Sequence, residues 1–236
     1  MHSFNAPASI KVMRALFIPF LFACAHLTAC AADQPVAIPP PAKDIPKASG
    51  PLQTAVLAGG CFWGVQGVYQ HMIGVSQVVS GYAGGEKKTA EYETVSGGAT
   101  RHAESVQITF DPQTVSYGEI LQVFFSVAHD PTQLNRQGPD TGPQYRSAIF
   151  YADDAQKQVA EGYIEQLNRS GAFDQSIVTQ LAPLNGFFAA EAYHQDYLIR
   201  NPTSLYIVVN DLPKVRNFER TLPSLYRDKA VRVGKN

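Results

Sequence analysis

One junction constrains this chain more than any other stretch. The run Ala55-Val56-Leu57, rich in strand formers, gives way at Gly59-Gly60 to a helical pattern. From Phe62 onward the apolar residues Phe62, Val65, Tyr69 and Met72 recur at helical spacing. Cys61 stands between the two, in the first turn of the helix. Unpaired backbone N–H groups and the positive end of the helix dipole there favour a thiolate over a thiol. The two glycines before it let the chain bend and keep bulk away from the sulfur. Gly60, Gly64 and Gly67 fall on one side of the helix, and each costs roughly 1 kcal/mol against alanine. Such a stripe requires either close packing of another element or an open approach to the sulfur. Trp63 lies off the Phe62/Val65/Tyr69 stripe, so ordinary helix core does not account for it. A buried structural cysteine is the plain alternative for Cys61.

Downstream, strand and helix patterns alternate. Val75 to Tyr82 reads as a strand ending in the glycine loop Gly81-Tyr82-Ala83-Gly84-Gly85, followed by a polar loop carrying Tyr92. Ala103 to Phe110 has strand period, with Val106, Ile108 and Phe110 on one face and Ser105, Gln107 and Thr109 on the other. Ser116 and Glu119 match a capping box ahead of the stripe Ile120, Val123, Phe124 and Val127. His129 to Gln144 reads as a long loop of the kind that carries function. Further strands are expected at 146–151 and 177–181. Helices are expected from Asp153 or Asp154 to Gly171 and from Ala189 to Ile199. No dinucleotide-type glycine fingerprint appears. The expected fold is a two-layer α/β or α+β sandwich.

The N-terminal region reads as an export signal. Lys11 and Arg14 precede an apolar stretch, Ala15 to Ala25, too short to span a bilayer and suited to a secretory h-region. Leu27-Thr28-Ala29-Cys30 resembles the lipobox of bacterial lipoproteins. By that resemblance residues 1–30 are a lipoprotein-type signal and Cys30 becomes the acylated first residue. Ordinary cleavage after Ala29 would instead release a soluble exported protein. Met13 makes a more usual start for such a signal than Met1. Residues 31–51, with Pro39-Pro40-Pro41 at their centre, read as an extended polyproline tether. Residues 52–212 are the expected domain and residues 213–236 a polar, mainly basic, peripheral tail. The expected location is periplasmic, membrane-anchored through Cys30, with Ala31 beside it pointing to an outer membrane. Only Cys24, Cys30 and Cys61 occur, which excludes a disulfide scaffold. A net charge of -1 without a long basic block argues against nucleic acid as a partner.

The strand register carries a chemical inference. Glu104 has the parity of Val106, Ile108 and Phe110, so its carboxyl points to the apolar face. Lost hydration raises a carboxyl pKa and lets it hold a proton near neutrality, as a general acid must. The bland alternative is a solvated residue at a frayed strand start. A thiolate, a protonated carboxyl and nearby aromatics suit attack on a polar centre with protonation of a departing oxygen. Cys–His hydrolysis is the rival, with His71, His102, His129 and His194 as candidate bases. A catalytically silent binding module is a third reading. No Cys or His pairs have metal-ligand spacing, so no metal is expected.

Gly60-Cys61-Phe62-Trp63-Gly64, the Gly81–Gly85 loop, His102-Ala103-Glu104, His129-Asp130-Pro131-Thr132 and Gln144-Tyr145-Arg146-Ser147 occur in one order. Together they closely resemble peptide methionine sulfoxide reductase of the A type, from about Leu52 to about Leu212. The resemblance implies a ferredoxin-like core and reduction of the S epimer of methionine sulfoxide, free or in proteins. Carried over, Cys61 is the nucleophile and Glu104 the proton donor to the sulfoxide oxygen. Tyr92 and Tyr145 hydrogen-bond that oxygen, and Phe62 and Trp63 hold the substrate methyl group. Asp140 orients the site. The product is methionine plus a sulfenic acid on Cys61. No cofactor is implied, since electrons arrive through thiols.

The chain departs from the family pattern in places. Arg101 stands where a glycine is common and Gln66 where a glutamate is common. No cysteine follows Cys61, whereas many relatives resolve the sulfenic acid with a C-terminal cysteine. The expected reductant is therefore an external thiol, from a thioredoxin-like protein or a small molecule, acting directly on Cys61.

Overall fold

The junction forms where the pattern puts it. In the computed structural model, which describes residues 1–3 and 34–234, β1 (Gln53–Gly59) runs into α1 (Phe62–Gln70). Then come β2 (Val75–Ala83), α2 (Tyr92–Ser96), β3 (Ala103–Phe110) and α3 (Tyr117–Val123). A two-stranded pair, β4 (Arg136–Gln137) and β5 (Asp140–Thr141), precedes β6 (Ser147–Tyr151) and α4 (Asp154–Ser170). β7 (Gln180–Pro183), β8 (Phe187–Ala189), α5 (Tyr197–Arg200) and α6 (Leu212–Thr221) follow.

The main sheet has the order β7-β6-β1-β3-β2-β8. β6 and β7 are parallel and every other neighbouring pair is antiparallel. Within it, β1-α1-β2-β3-α3-β6 is a split βαβ arrangement, its strands lying in the spatial order fourth, first, third, second. The core is therefore ferredoxin-like, and the expected mixed two-layer sandwich is the fold. Leu57, Val78, Val106, Ile108 and Ile149 face the helices, where they meet Phe62, Tyr69, Ile120, Tyr163 and Phe218. The other sheet face holds a smaller apolar cluster around Ala58, Ala103 and Phe150.

Local chemistry sets the element ends. The Ser116 hydroxyl accepts from the Glu119 N–H at 3.1 Å while the Glu119 carboxylate accepts from the Ser116 N–H at 2.8 Å. This is the capping box, worth about 1 kcal/mol. The glycine stripe of α1 is explained by packing, not by access to the sulfur. A Cβ on Gly64 would collide with the Asp211 carboxylate, and one on Gly67 with Leu198 of α5. Gly60 has a φ of +87°, which a side chain resists, and lies against Gln137.

Three expectations need correction. The Pro-rich segment is no free tether from Gln34 onward: Ile38 is buried, and the strap lies across α3 and α4. An extended Pro-rich chain leaves its carbonyls unpaired, and helix side chains supply the donors. Gln122 Nε2 donates to Ile38 O at 2.9 Å, the Tyr163 hydroxyl to Pro39 O at 2.7 Å and Gln166 Nε2 to Pro40 O at 3.0 Å. The segment beyond Pro213 is not peripheral either, because α6 buries Val215 and Phe218 against the core. Its charged residues Arg216, Glu219 and Arg220 hid that apolar stripe. Finally, the helix expected over 189–199 is largely absent. β8 occupies its start, pairing Ala189 with Gly81 of β2, and Asp196 takes a left-handed φ of 55° that interrupts helical backbone before α5. The export signal, with Cys24 and Cys30, lies outside the described residues. Among the described residues no helix is long and apolar enough to cross a membrane.

Candidate active site

Antiparallel pairing brings the thiol and the carboxyl together. Leu57 pairs with Val106, so Glu104, two residues back along β3, lies at the sheet end where β1 passes into α1. There the Glu104 Oε2 accepts the Phe62 N–H at 3.1 Å, satisfying one of the unpaired donors at the start of α1. Glu104 is only 3% exposed. Burial, joined by the charges of Asp140 and Asp211, raises its pKa to about 8 against the weaker opposing effect of the Phe62 bond. The parity argument therefore holds, and the residue is not a frayed end.

Cys61 caps the start of α1 and is buried. Its pKa is pushed well up, first by burial and then by Glu104 and Asp211, with the Trp63 N–H acting the other way. This corrects the expectation of a thiolate: the helix start does favour negative charge, but desolvation and neighbouring carboxylates outweigh it. The sulfur at rest carries its proton.

A cavity of about 220 Å³ is lined by Cys61, Phe62, Trp63, Tyr92, Glu104, Asp140, Tyr145 and Tyr206. All seven residues singled out in the sequence for this site therefore meet at one place. Tyr145 and Tyr92 are held as neutral phenols, burial first and the Glu104 charge second. Both can donate a hydrogen bond. Trp63 is clamped: its ring stacks on Tyr197 at 3.8 Å and 9°, and stands edge-on to Tyr206. Its Nε1–H donates to His194 Nδ1 at 3.1 Å, which assigns the neutral imidazole its proton at Nε2, turned toward Glu191. Glu191 in turn accepts the Tyr92 N–H at 2.9 Å and the Tyr82 hydroxyl at 3.0 Å.

Tyr206 was not anticipated. Its hydroxyl donates to Asp140, fixing a carboxylate whose pKa burial raises and this bond lowers. The one clue in the sequence was an apolar run following Pro202 and continuing toward Asp211-Leu212-Pro213. Reading 205–221 as helix places Tyr206 one π turn ahead of Asp211.

The candidate histidine bases are engaged elsewhere. His129, buried and with its pKa lowered to about 3 chiefly by desolvation, bonds to Phe124 O and Ser147 Oγ. His102 bonds to Glu86 O and His71 to Arg227 O. Among the described residues no imidazole lines the Cys61 cavity. A larger cavity of about 290 Å³ beside the strap has no thiol among its described lining residues, and its Asp130 carboxylate is already bonded to Thr132 and Gln133. Among the described residues no cluster of ligating side chains could hold a metal ion.

Residues 53–225 match the family model for peptide methionine sulfoxide reductase. A peptide methionine sulfoxide reductase MsrA 2 from Mesorhizobium japonicum is 58% identical over 79% of this chain and 96% of its own length. One from Synechocystis sp. is 53% identical over 78% and 87%. Among solved structures, reduced Mxr1 from Saccharomyces cerevisiae aligns with a TM-score of 0.60 at 34% identity, covering 71% of this chain and 98% of its own. Methionine sulfoxide reductase A of Corynebacterium diphtheriae aligns with a TM-score of 0.56 at 32% identity, covering 74% and 88%. The chain belongs to the peptide methionine sulfoxide reductase A family.

Proposed function

We propose that this protein is a peptide-methionine (S)-S-oxide reductase, reducing the S epimer of methionine sulfoxide, free or in oxidised proteins, with Cys61 as nucleophile and Glu104 as acid. The observation that carries the reading is the convergence of a thiol, a protonated carboxyl and phenol donors on one small aromatic-walled cavity. Phe62 and Trp63 take the substrate methyl group by apolar contact, leaving the S–O bond to Tyr92, Tyr145 and Glu104. The Cys61 sulfur attacks the sulfoxide sulfur, Glu104 gives its proton to the oxygen, and the thiol proton restores the carboxyl. The substrate S–O bond breaks and the hydroxide that departs attacks the Cys61 sulfur. The S–S bond formed in the first step then breaks with its electron pair left on the substrate sulfur, so methionine is released and Cys61 is left as a sulfenic acid. Donors aimed at the developing charge each contribute roughly 10²–10³ in rate.

Because no cysteine follows Cys61, an external thiol, on a thioredoxin-like protein or a small molecule, attacks the sulfenic sulfur and releases water. A second thiol then frees Cys61 by disulfide exchange. The test is epimer-resolved turnover with dithiothreitol: the S epimer is consumed and the R epimer is not. Equal use of both epimers, or of neither, overturns the reading. The resemblance of Leu27-Thr28-Ala29-Cys30 to a lipobox supports export to the periplasm and anchoring through an acyl chain on Cys30. Metabolic labelling with a fatty acid that is lost in Cys30→Ala tests it, and an unlabelled parent refutes it.

A further inference from the structure

Asp211 has no place in the chemistry above, yet burying its carboxylate beside the site is costly. It is 0% exposed, and among the described residues neither carboxylate oxygen has a hydrogen-bond partner. Lys214, also buried, is its ion-pair partner, with Nζ at 3.7 Å. A buried carboxylate so poorly satisfied is destabilising, and an apolar side chain facing a glycine would cost less. Its position is specific, however. Gly64, the third residue of α1, lacks a side chain where Asp211 and Lys214 press against the helix, directly behind the turn that carries Cys61. The π turn Ile207–Asp211 brings it there, on the same helical run that delivers Tyr206 to the cavity wall.

We propose that the buried Asp211–Lys214 pair is a positioning element of the Cys61 site, holding negative charge behind the start of α1 that opposes a second negative charge on Cys61 or Glu104. The groups facing it bear this out in sign. Cys61 from the start of α1, Glu104 from β3 and Tyr206 from its own helix each have their proton held by the Asp211 charge, among other causes. Asp140 from β5 adds negative charge, and Lys214 tempers both carboxylates and faces neutral His129. Asp211 itself titrates at about 6, burial being the main cause and Lys214 the main opposing one. Such a charge serves the reaction by keeping Glu104 protonated until a sulfoxide oxygen arrives. It also keeps the unoccupied thiol in its less reactive form.

The inference rests on Cys61 and Glu104 being the reacting pair, and it is tested without any sulfoxide. In the full chain, the rate of Cys61 alkylation by iodoacetamide is followed against pH. Asp211→Asn moves the midpoint down by about one unit, which is about a tenfold faster alkylation near neutrality. Lys214→Gln moves it up, and Asp211→Glu restores the parent value. Melting temperatures establish that each variant is folded. An unmoved midpoint in folded Asp211→Asn, or movement of both variants in the same direction, leaves only a structural role and overturns the proposal. Should Asp211→Asn not fold, Lys214→Gln decides alone: a rise supports the proposal, and no change or a fall overturns it. Loss of sulfoxide reduction with these shifts intact would instead count against the reading of the reaction.

Discussion

Replacing Glu104 by Gln should make the protein more stable at alkaline pH and much less active. The native carboxyl titrates at about 8, the unfolded one near 4.5. Between those values the folded chain holds a proton that the unfolded chain has released, so the parent loses stability as pH rises through this window. At about 1.4 kcal/mol per unit the loss reaches about 3–5 kcal/mol above the folded value. Gln has no proton to lose, and its amide oxygen can still accept the Phe62 N–H. Its unpartnered NH₂ costs roughly 1–3 kcal/mol at every pH, so the signature is the slope and not the offset. Urea unfolding of both proteins, at about pH 4.5 and about pH 9, should show the stability difference moving by about 3–5 kcal/mol in favour of Gln. Turnover should fall by ~10²–10⁴ with the general acid gone. A difference that stays flat between the two conditions would mean the carboxyl is not desolvated, and the argument from strand parity and burial would fail.

Other perturbations separate the parts. Tyr206→Phe strips Asp140 of its hydroxyl donor and should lower kcat/KM by about 10- to 100-fold, as for a hydrogen bond to a charge of about 1.5–3 kcal/mol. Unchanged kinetics would show that Asp140 needs no such support. Ile38→Ala, in the strap, should cost about 2–4 kcal/mol in urea unfolding. A neutral result would mean the strap is a loose tether after all. Arg101 has a left-handed φ of 63°, so Arg101→Gly should stabilise by roughly 0.5–1 kcal/mol, read as a raised Tm.

The legible parts of this chain were those where one local pattern had one structural consequence. The break at Gly59-Gly60, the capping box at Ser116 and the alternation from Ala103 to Phe110 each gave the right element, and the last gave the buried face of Glu104 as well. Parity and family motifs together picked out seven of the eight cavity residues. What escaped depended on distant partners. Tyr206 reaches the cavity through a π turn that no apolar period announces. The strap folds onto donors from Gln122, Tyr163 and Gln166, far along the sequence. Cys61 carries its proton because it is buried and because Glu104 and Asp211, neither adjacent in sequence, lie beside it, which a reading of the helix start alone could not weigh.

Whether the sulfur of Cys61 takes the oxygen from the substrate is read most directly by mass after a single turnover. Reduced protein, mixed with one equivalent of methionine-S-sulfoxide and no other thiol, is digested and weighed peptide by peptide. One methionine released per chain is expected, with one added oxygen on the peptide carrying Cys61, trapped by a sulfenic-acid reagent and absent in Cys61→Ser. Methionine formed while that peptide keeps its mass, or formed equally by Cys61→Ser, would contradict it.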